Sequence, residues 1–172
     1  MGKKIIGKLF LIILKMIEVW SSKIYIKLFA KYLKFLGVNI SQPTGYIHPS
    51  VEFDGVNYKL ITIGERTTIS KNVLILTHDY SINRGLYYLK LNETGRFLKP
   101  INIGSNCFIG ARAVLLPGTS IGDNVIVGTG AVVKGNIPNN SIVVGNPAKV
   151  IGNIEEWSKR HVKMQDYQKD NI

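Results

Sequence analysis

Aliphatic residues recur at every sixth position between Pro100 and Pro138, without a slip. A second series, four positions later in each unit, is mostly small. A helix repeats every 3.6 residues and a strand of an open sheet every two, so a period of six indicates short strands separated by corners. The pattern predicts a parallel β-helix in which three units make one triangular turn. The first series is Ile103, Ile109, Leu115, Ile121, Val127 and Val133, and the second is Cys107, Ala113, Thr119, Val125, Ala131 and Ile137.

Glycines often follow the first aliphatic residue of a unit, as at Gly104 and Gly122. We expect them at the corners, where a missing Cβ relaxes the backbone sterics. Cys107 is the single cysteine and lies at an inward position, so its expected role is packing rather than catalysis.

The repeat also runs earlier in the chain, less regularly. Residues 55–60 interrupt it, and it resumes at Ile63. Between Ile75 and Ile103 the repeat is absent for 28 positions. Inside a solenoid such an excess must leave the body of the coil, so the sequence predicts a long loop over residues 77–99, a usual place for function on a rigid scaffold.

Residues 1–36 have helical rather than hexameric spacing, with a break or phase shift predicted at Ser21 and Ser22. We predict two helices, or one bent helix. These helices either cap the end of the β-helix, form a subunit contact, or lie in the plane of an anionic membrane. The longest uncharged run, Leu9–Leu14, is too short for a span of about 20 apolar residues. Residues 155–170 predict a short C-terminal helix with acidic residues first and basic residues later.

These patterns divide the chain of 172 residues into three parts. Residues 1–40 form an amphipathic helical segment, residues 41–152 a β-helix domain with the loop 77–99, and residues 153–172 a C-terminal helix. The net charge is +11, and residues 1–36 contribute eight lysines against one glutamate. Because these lysines alternate with apolar residues and no arginine accompanies them, they favour a membrane surface or acidic glycan over nucleic acid.

Localisation follows from the same segment. Lysines interrupt its apolar run, and no small-residue cleavage site follows. We therefore expect a cytoplasmic protein, which the membrane alternative for residues 1–36 would place at the inner face of the membrane.

Candidate chemistry centres on one histidine. The sequence has three histidines, and only His78 opens the predicted loop. An imidazole held by a rigid scaffold yet open to substrate suits a general base. The alternative is a surface histidine without a role. His48 and His161 are not spaced to join His78 in a metal site, so no metal is expected.

Three features, taken in order, resemble the hexapeptide-repeat acyltransferases, and within them the polysaccharide O-acetyltransferase and maltose/galactoside acetyltransferase branch. They are the loop opening Thr77–Ser81, the repeats Ile103–Val133 and the closing motif Gly145–Ile151. The similar region runs from about residue 47 to 151. The resemblance implies an all-β fold built on a left-handed parallel β-helix, a homotrimer, and acetyl-CoA bound between subunits as the acetyl donor.

The resemblance also implies roles for individual residues. His78 matches the catalytic histidine, which takes a proton from a sugar hydroxyl as that oxygen attacks the thioester. A backbone N–H near Gly110 or Ala111 would stabilise the developing oxyanion. The expected contacts to acetyl-CoA are Gly110, Ala111, Thr129, Lys134, Gly135, Lys149 and Gly152.

The acceptor site is less well marked, because the early coil departs from the maltose/galactoside pattern. Tyrosine rings and carboxylates suit the faces and hydroxyls of sugars. Residues near the early interruption, on a side expected to face the His78 of a neighbouring subunit, and residues of the loop are candidates for acceptor binding. They are Asp54, Asn57, Tyr58, Asp79, Tyr80 and Arg84.

The sequence therefore predicts an acetyl-CoA-dependent O-acetyltransferase that modifies a sugar, in surface polysaccharide or lipid-linked glycan biosynthesis. Acetylation of antibiotics and other xenobiotics, of serine or of nucleotide-sugars is an alternative with the same chemistry. A β-helical carbonic anhydrase would need three histidines around a metal, a spacing that is absent here. A non-catalytic β-helical trimer is the remaining alternative.

Overall fold

The computed structural model describes residues 13–14 and 16–169. Short strands joined by turns run from Asn39 to Asn153, and all but one pair of them belong to three sheets. The strands are β1 (Asn39–Ile40), β2 (Glu52–Phe53), β3 (Ile61–Ile63), β4 (Thr68–Ile69), β5 (Leu74–Ile75), β6 (His78–Asp79), β7 (Phe97–Leu98), β8 (Ile101–Ile103), β9 (Phe108–Ile109), β10 (Val114–Leu115), β11 (Ser120–Ile121), β12 (Ile126–Val127), β13 (Val132–Val133), β14 (Asn136–Ile137), β15 (Ser141–Val144) and β16 (Lys149–Asn153).

The first sheet contains β1, β3, β8, β11 and β14, the second β4, β9, β12, β15 and β16, and the third β2, β5, β10 and β13. Three helices accompany them, α1 (Ser22–Leu36), α2 (Ile82–Tyr88) and α3 (Ile154–Met164), with a 3-10 turn at Tyr58–Leu60. The described residues 13–14 and 16–20 are helical as well.

Equivalent positions of successive coils lie directly over one another. Ile103 of β8 pairs in register with Ile121 of β11, and Ile121 with Ile137 of β14, all in parallel strands. In the second sheet Ile109 lies between Ile69 and Val127. The prediction of a coil of parallel strands with three sides is confirmed, because each turn of the chain returns to the same three sheets.

Both predicted series of repeat residues point into the coil. Every member is at most 9% exposed, and most are fully buried. Cys107 is among them, and its Sγ lies 3.0 Å from the carbonyl oxygen of Gly122. Burial raises the pKa of this thiol, so it stays protonated, and its predicted packing role is confirmed.

The corners depend on close stacking between coils. A Cβ added to Gly104 would lie 2.4 Å from the carbonyl oxygen of Gly122, so the fold requires glycine at this position. The left-handed backbone conformation nearby is adopted by asparagines, at Asn106, Asn124 and Asn140. Their side chains form a ladder, with amide contacts of 2.7 Å and 3.0 Å between successive coils.

The helices before the coil cover one end of it. The predicted break is confirmed at Ser21, which has an extended backbone and caps α1 through its side chain. On α1, Tyr25, Phe29 and Leu33 are buried in the same core as the coil, and the Tyr25 hydroxyl donates to the carbonyl of Ile47. The end-capping interpretation therefore holds for the inward face of α1.

The last helix is shorter than the sequence predicted. It ends at Met164 rather than near Asp170, because Gln165 adopts a left-handed conformation and donates its N–H to the carbonyl of His161. Among the residues that the structure describes, no helix is long and apolar enough to cross a membrane.

The chain leaves the coil after β5 and returns before β8. The two ends of this segment form an antiparallel pair, β6 with β7, and the N–H of Lys99 donates to the carbonyl of Thr77 at 2.9 Å. Between them lies α2, an element that the sequence analysis did not predict. The segment therefore has an ordered base, and His78 lies on that base.

Candidate functional site

The candidate site is organised by a contact between Asp54 and His78. The Nδ1 atom of His78 lies 2.8 Å from Oδ2 of Asp54. The Asp54 side chain is 4% exposed and that of His78 is 23% exposed. The pair is therefore buried on the carboxylate side and open on the imidazole side.

Three further donors surround the Asp54 carboxylate. It accepts hydrogen bonds from the hydroxyl of Thr77, at 2.7 Å and 2.9 Å to its two oxygens, and from the backbone N–H groups of Thr77 and His78. Burial of this carboxyl raises its pKa, but hydrogen bonds from His78, Thr77 and the backbone of Val56 outweigh that effect and hold the pKa below the ordinary value. Asp54 is therefore a carboxylate anion at neutral pH.

This anion fixes the imidazole. A carboxylate at Nδ1 favours the tautomer in which Nδ1 donates its proton, which leaves a lone pair on Nε2. The ring is also steadied by Tyr80, whose aromatic ring meets it edge-on at 5.5 Å between centroids. The Tyr80 hydroxyl accepts a hydrogen bond of 3.0 Å from Arg96. The arrangement makes Nε2, the ring nitrogen that does not contact Asp54, the candidate proton acceptor.

The strands of the third sheet explain why these residues meet. Asp54 directly follows β2, and His78 lies three positions after β5, the neighbouring strand in that sheet. Lys134 follows β13 in the same way. Since parallel strands end at the same edge, all three lie along one corner of the coil. From the sequence, Asp54 was expected to face the His78 of another subunit, whereas its carboxylate contacts the His78 of the same chain.

Lys134 and Asp79 line a common cleft. This cavity of about 110 Å³ lies between the hairpin and the coil. Other lining residues are Ser81, Phe97, Lys99, Leu116 and Pro117. The exposed Asp79 carboxylate accepts a hydrogen bond from the N–H of Ser81, which, with a smaller effect of the Lys134 charge, lowers its pKa. The structure thus brings together a residue expected at the donor and one expected at the acceptor.

Three of the expected donor contacts lie at a different corner of the coil, namely Gly110, Ala111 and Thr129. They precede strands β10 and β13 of the third sheet, whereas Lys134 follows β13. Coils approach closely there, since a Cβ on Gly110 would lie 2.6 Å from the nitrogen of Thr129. The N–H of Gly110 donates to the carbonyl of Val127 at 2.8 Å. It is therefore engaged within the coil, which leaves Ala111 as the candidate oxyanion donor of the two. Gly135 adjoins Lys134 and has a left-handed φ of 81°.

Lys149 and Gly152 lie on β16, which pairs antiparallel with β15 at the end of the coil. Gly152 lines a cavity of about 580 Å³ between this hairpin and α3, together with Trp157 and Arg160. Those two side chains were not predicted from the sequence as site residues. Trp157 and Arg160 are three residues apart on a predicted helix and so share one face, which is the pattern from which they could have been identified.

Asn57, Tyr58 and Arg84, the remaining predicted acceptor residues, make their contacts with residues other than His78. Asn57 caps the 3-10 turn by accepting from the N–H of Lys59, and Tyr58 packs its ring against Phe53. Burial raises the pKa of Tyr58. Arg84 lies on α2 and lines an open cavity of about 830 Å³ with Tyr87, Tyr88, Lys90, Leu91 and Asn92. Within the described residues, no group of three histidine, cysteine or acidic side chains could hold a metal ion.

Known proteins share this architecture and parts of this sequence. A family model described as the hexapeptide repeat of succinyl-transferase matches residues 100–134. Protein CapG of Staphylococcus aureus is 36% identical over 152 residues, which cover 86% of this chain and 87% of that protein. The galactoside O-acetyltransferase of Escherichia coli is 34% identical over 108 residues, covering 62% of this chain and 50% of that protein.

Among solved structures, a galactoside acetyltransferase in complex with coenzyme A superimposes with a TM-score of 0.59 at 25% identity, covering 83% of this chain and 77% of that one. The chain spans about half the length of the Escherichia coli relative. The coil, its closing hairpin and these relatives define the class, and the chain belongs to the hexapeptide-repeat acetyltransferase family.

Proposed function

We propose that the protein transfers an acetyl group from acetyl-CoA to a hydroxyl of a sugar, in the biosynthesis of a surface polysaccharide or lipid-linked glycan. The observation that carries this proposal is the Asp54–His78 pair, held by the rigid coil at the root of the hairpin. Similarity to galactoside O-acetyltransferase, and to a structure with coenzyme A, supports the donor and the acceptor class.

In the proposed mechanism His78 is the general base. Its Nε2 accepts the proton of the acceptor hydroxyl, because a neutral alcohol is a poor nucleophile. The anionic Asp54 carboxylate at Nδ1 stabilises the imidazolium that forms and keeps the ring in place. The thioester donor supplies the acetyl carbon, to which the acceptor oxygen bonds as the C–S bond breaks. The imidazolium then gives its proton to the departing sulfur, and the neutral imidazole is restored.

The chain has the chemistry needed to hold the donor. Coenzyme A is a long anionic molecule, and Lys134 and Lys99 line the cleft beside the hairpin. The cavity beside α3 offers Arg160 for a phosphate and Trp157 for a flat ring. Ala111 and Thr129 would contribute through the backbone, and Lys149 and Gly152 lie toward the end of the coil.

The proposed assembly is a homotrimer of left-handed β-helices. It is supported by the separation of the expected donor residues within one chain, where Ala111 and Thr129 occupy one corner and Lys134 another. Sites between subunits would bring a corner of one chain beside the other corner of its neighbour. Sedimentation equilibrium should give three times the chain mass of 19.2 kDa. The proposed location is the cytoplasm, at the inner face of the membrane.

Release of free thiol from acetyl-CoA tests the activity. The assay takes the full chain with a panel of sugars, nucleotide-sugars, serine and antibiotics. We expect turnover with a sugar or glycan acceptor, and His78→Ala to lower kcat by about 100-fold or more while coenzyme A still binds. His48→Ala, in the first coil and outside both cavities proposed for the donor, is the histidine control.

Other outcomes separate the alternatives. Turnover only with serine, a nucleotide-sugar or an antibiotic would leave acetyl transfer as the reaction and change the class of acceptor. Failure to bind coenzyme A, with no acetylation of any acceptor, would favour a non-catalytic β-helical scaffold and overturn the proposal.

A further inference from the structure

The helices before the coil have an inward face and an outward face. On the inward face Leu14 is fully buried, and Phe29 and Leu33 of α1 join the core. The Glu18 carboxylate accepts a hydrogen bond from the Tyr46 hydroxyl of the first coil. These contacts attach the helices to the coil and leave their opposite sides uncovered.

The outward side of residues 16–20 is apolar. Met16, Val19 and Trp20 are 65%, 85% and 91% exposed. Residues three or four positions apart share one side of a helix, so these side chains lie together. Single exposed apolar residues are common, but a group that includes a nearly fully exposed tryptophan indicates a binding surface.

The outward side of α1 adds to it. Ile24 and Phe35 are 54% and 86% exposed and lie three helical turns apart on the same side. A row of exposed lysines runs along the helix beside these two apolar residues and consists of Lys23, Lys27 and Lys34. Lys31 is also exposed and lies between this row and the apolar residues. No acidic residue occurs between Glu18 and Glu52 in the sequence. The positive charge of this side is therefore not neutralised by the helix itself.

We infer that this outward surface docks on an anionic phospholipid bilayer. The surface consists of Met16, Val19, Trp20, Ile24 and Phe35 with the lysines Lys23, Lys27, Lys31 and Lys34. Apolar side chains enter the boundary between headgroups and acyl chains, and lysine amines meet the phosphates. Each lysine near an anionic surface strengthens binding by about fivefold. The inward face of these helices then caps the coil, and the outward face attaches the protein to the membrane.

Charge favours a bilayer over a second copy of the chain. Two copies joined through this surface would bring their lysine rows together without acidic partners. An anionic bilayer supplies both an apolar interior and negative charge. Docking would also confine the protein to the surface on which a lipid-linked glycan is presented, although the docking itself does not depend on the proposed reaction.

Vesicle binding by the full chain tests the inference. The protein has two tryptophans, so Trp157→Phe leaves Trp20 as the only indole reporter. With vesicles of phosphatidylcholine and phosphatidylglycerol, we expect a blue shift of Trp20 emission and quenching by brominated lipid. With phosphatidylcholine alone, or at high salt, binding should weaken by at least about tenfold.

Two sets of surface variants locate the contact. Trp20→Ser with Phe35→Ser, and Lys23→Gln with Lys27→Gln and Lys34→Gln, should each lower vesicle binding by at least about tenfold. Matched controls on the C-terminal helix, Val162→Ser with Met164→Ser and Lys163→Gln, should leave it unchanged. Thiol release with a soluble acceptor should stay at the wild-type rate in each of these surface variants and controls when Trp157 is retained, which separates docking from catalysis.

Absence of any preference for anionic vesicles in the wild-type chain would overturn the inference. So would equal binding by the outward-surface variants and the controls. If the Trp20 and Phe35 variant instead lowers the oligomeric mass and the wild type ignores vesicles, the surface is a subunit contact.

Discussion

Asp54 and His78 lie 24 positions apart in the sequence, yet Oδ2 of the first is 2.8 Å from Nδ1 of the second. They meet because β2 and β5 are neighbours in the third sheet, so that the residues following each strand share one corner. The same carboxylate also accepts from Thr77 and from the His78 backbone, which ties the side chain to the start of the hairpin. The coil thereby holds the imidazole through Nδ1, and the His78 side chain stays partly exposed.

Removing the charge of Asp54 should slow the reaction rather than weaken binding. Asp54→Asn keeps the shape and one acceptor oxygen but loses the anion that stabilises the imidazolium, so kcat should fall by at least about 10-fold with the KM for acetyl-CoA nearly unchanged. Steady-state thiol release measures both constants. The pH profile of kcat should shift as well, which loss of packing alone would not produce.

Glu52→Gln is the matched control for that experiment. This exposed carboxylate lies two residues earlier on β2, and its substitution should leave kcat and the KM for acetyl-CoA unchanged. If Asp54→Asn and Glu52→Gln behave alike, Asp54 does not position the catalytic imidazole.

Asp54 should also make stability depend on pH in the acidic range. Its pKa is lower in the folded chain than in the unfolded chain. The folded state therefore binds the proton less well, and the stabilisation is complete above the unfolded pKa of about 3.9 and is lost as pH falls through the folded value. Thermal unfolding between neutral and acidic pH should show a smaller loss of Tm for Asp54→Asn than for wild type. An identical slope in both would count against this linkage.

The stacking of coils predicts a sharp difference between two glycines. Gly104→Ala would place a Cβ 2.4 Å from a backbone oxygen of the next coil, so it should destabilise the fold by roughly 1–3 kcal/mol. Gly85→Ala, in the middle of α2 with open space around it, should be neutral or stabilising by about 0.5–1 kcal/mol. Urea unfolding of the two variants measures the contrast, and comparable destabilisation would contradict the stacking argument.

Lys134 should contribute to donor binding but not to the chemical step. Because this lysine is exposed, Lys134→Gln should raise the KM for acetyl-CoA only about 2- to 5-fold and leave kcat within about twofold. Lys27→Gln, an exposed lysine of α1 away from the corners of the coil, is the control. Equal effects of the two variants, or a loss of kcat at Lys134, would remove the lysine from the proposed donor site.

The coil could be predicted well because the hexameric pattern is a local property. Each aliphatic residue from Ile103 to Val133 is buried, and residues 18 positions apart, such as Ile103 and Ile121, stack in register, so the position of each follows from spacing alone. The same holds for Cys107, whose inward position could be counted from its neighbours. The break at Ser21 was visible because the lysine stripes change phase there.

The candidate site was predicted only in part. The sequence marked His78 through the length of the gap after β5, but not the residue that orients it. Asp54 appeared as one polar residue in an irregular stretch, and its neighbours Asn57 and Tyr58 looked similar, although one caps a turn and the other packs on Phe53. Trp157 and Arg160 were missed because the cavity they line exists only once α3 folds beside β16.

The sequence by itself determined the coil, the side chains that fill it and the point at which the chain leaves it, because these depend on periodicity between near neighbours. Only the tertiary structure decided which carboxylate lies behind His78, and which side of the first helices is buried and which is free. Those relationships depend on which coils are neighbours and on where the helices pack. The spacing of residues along the chain determines neither of these.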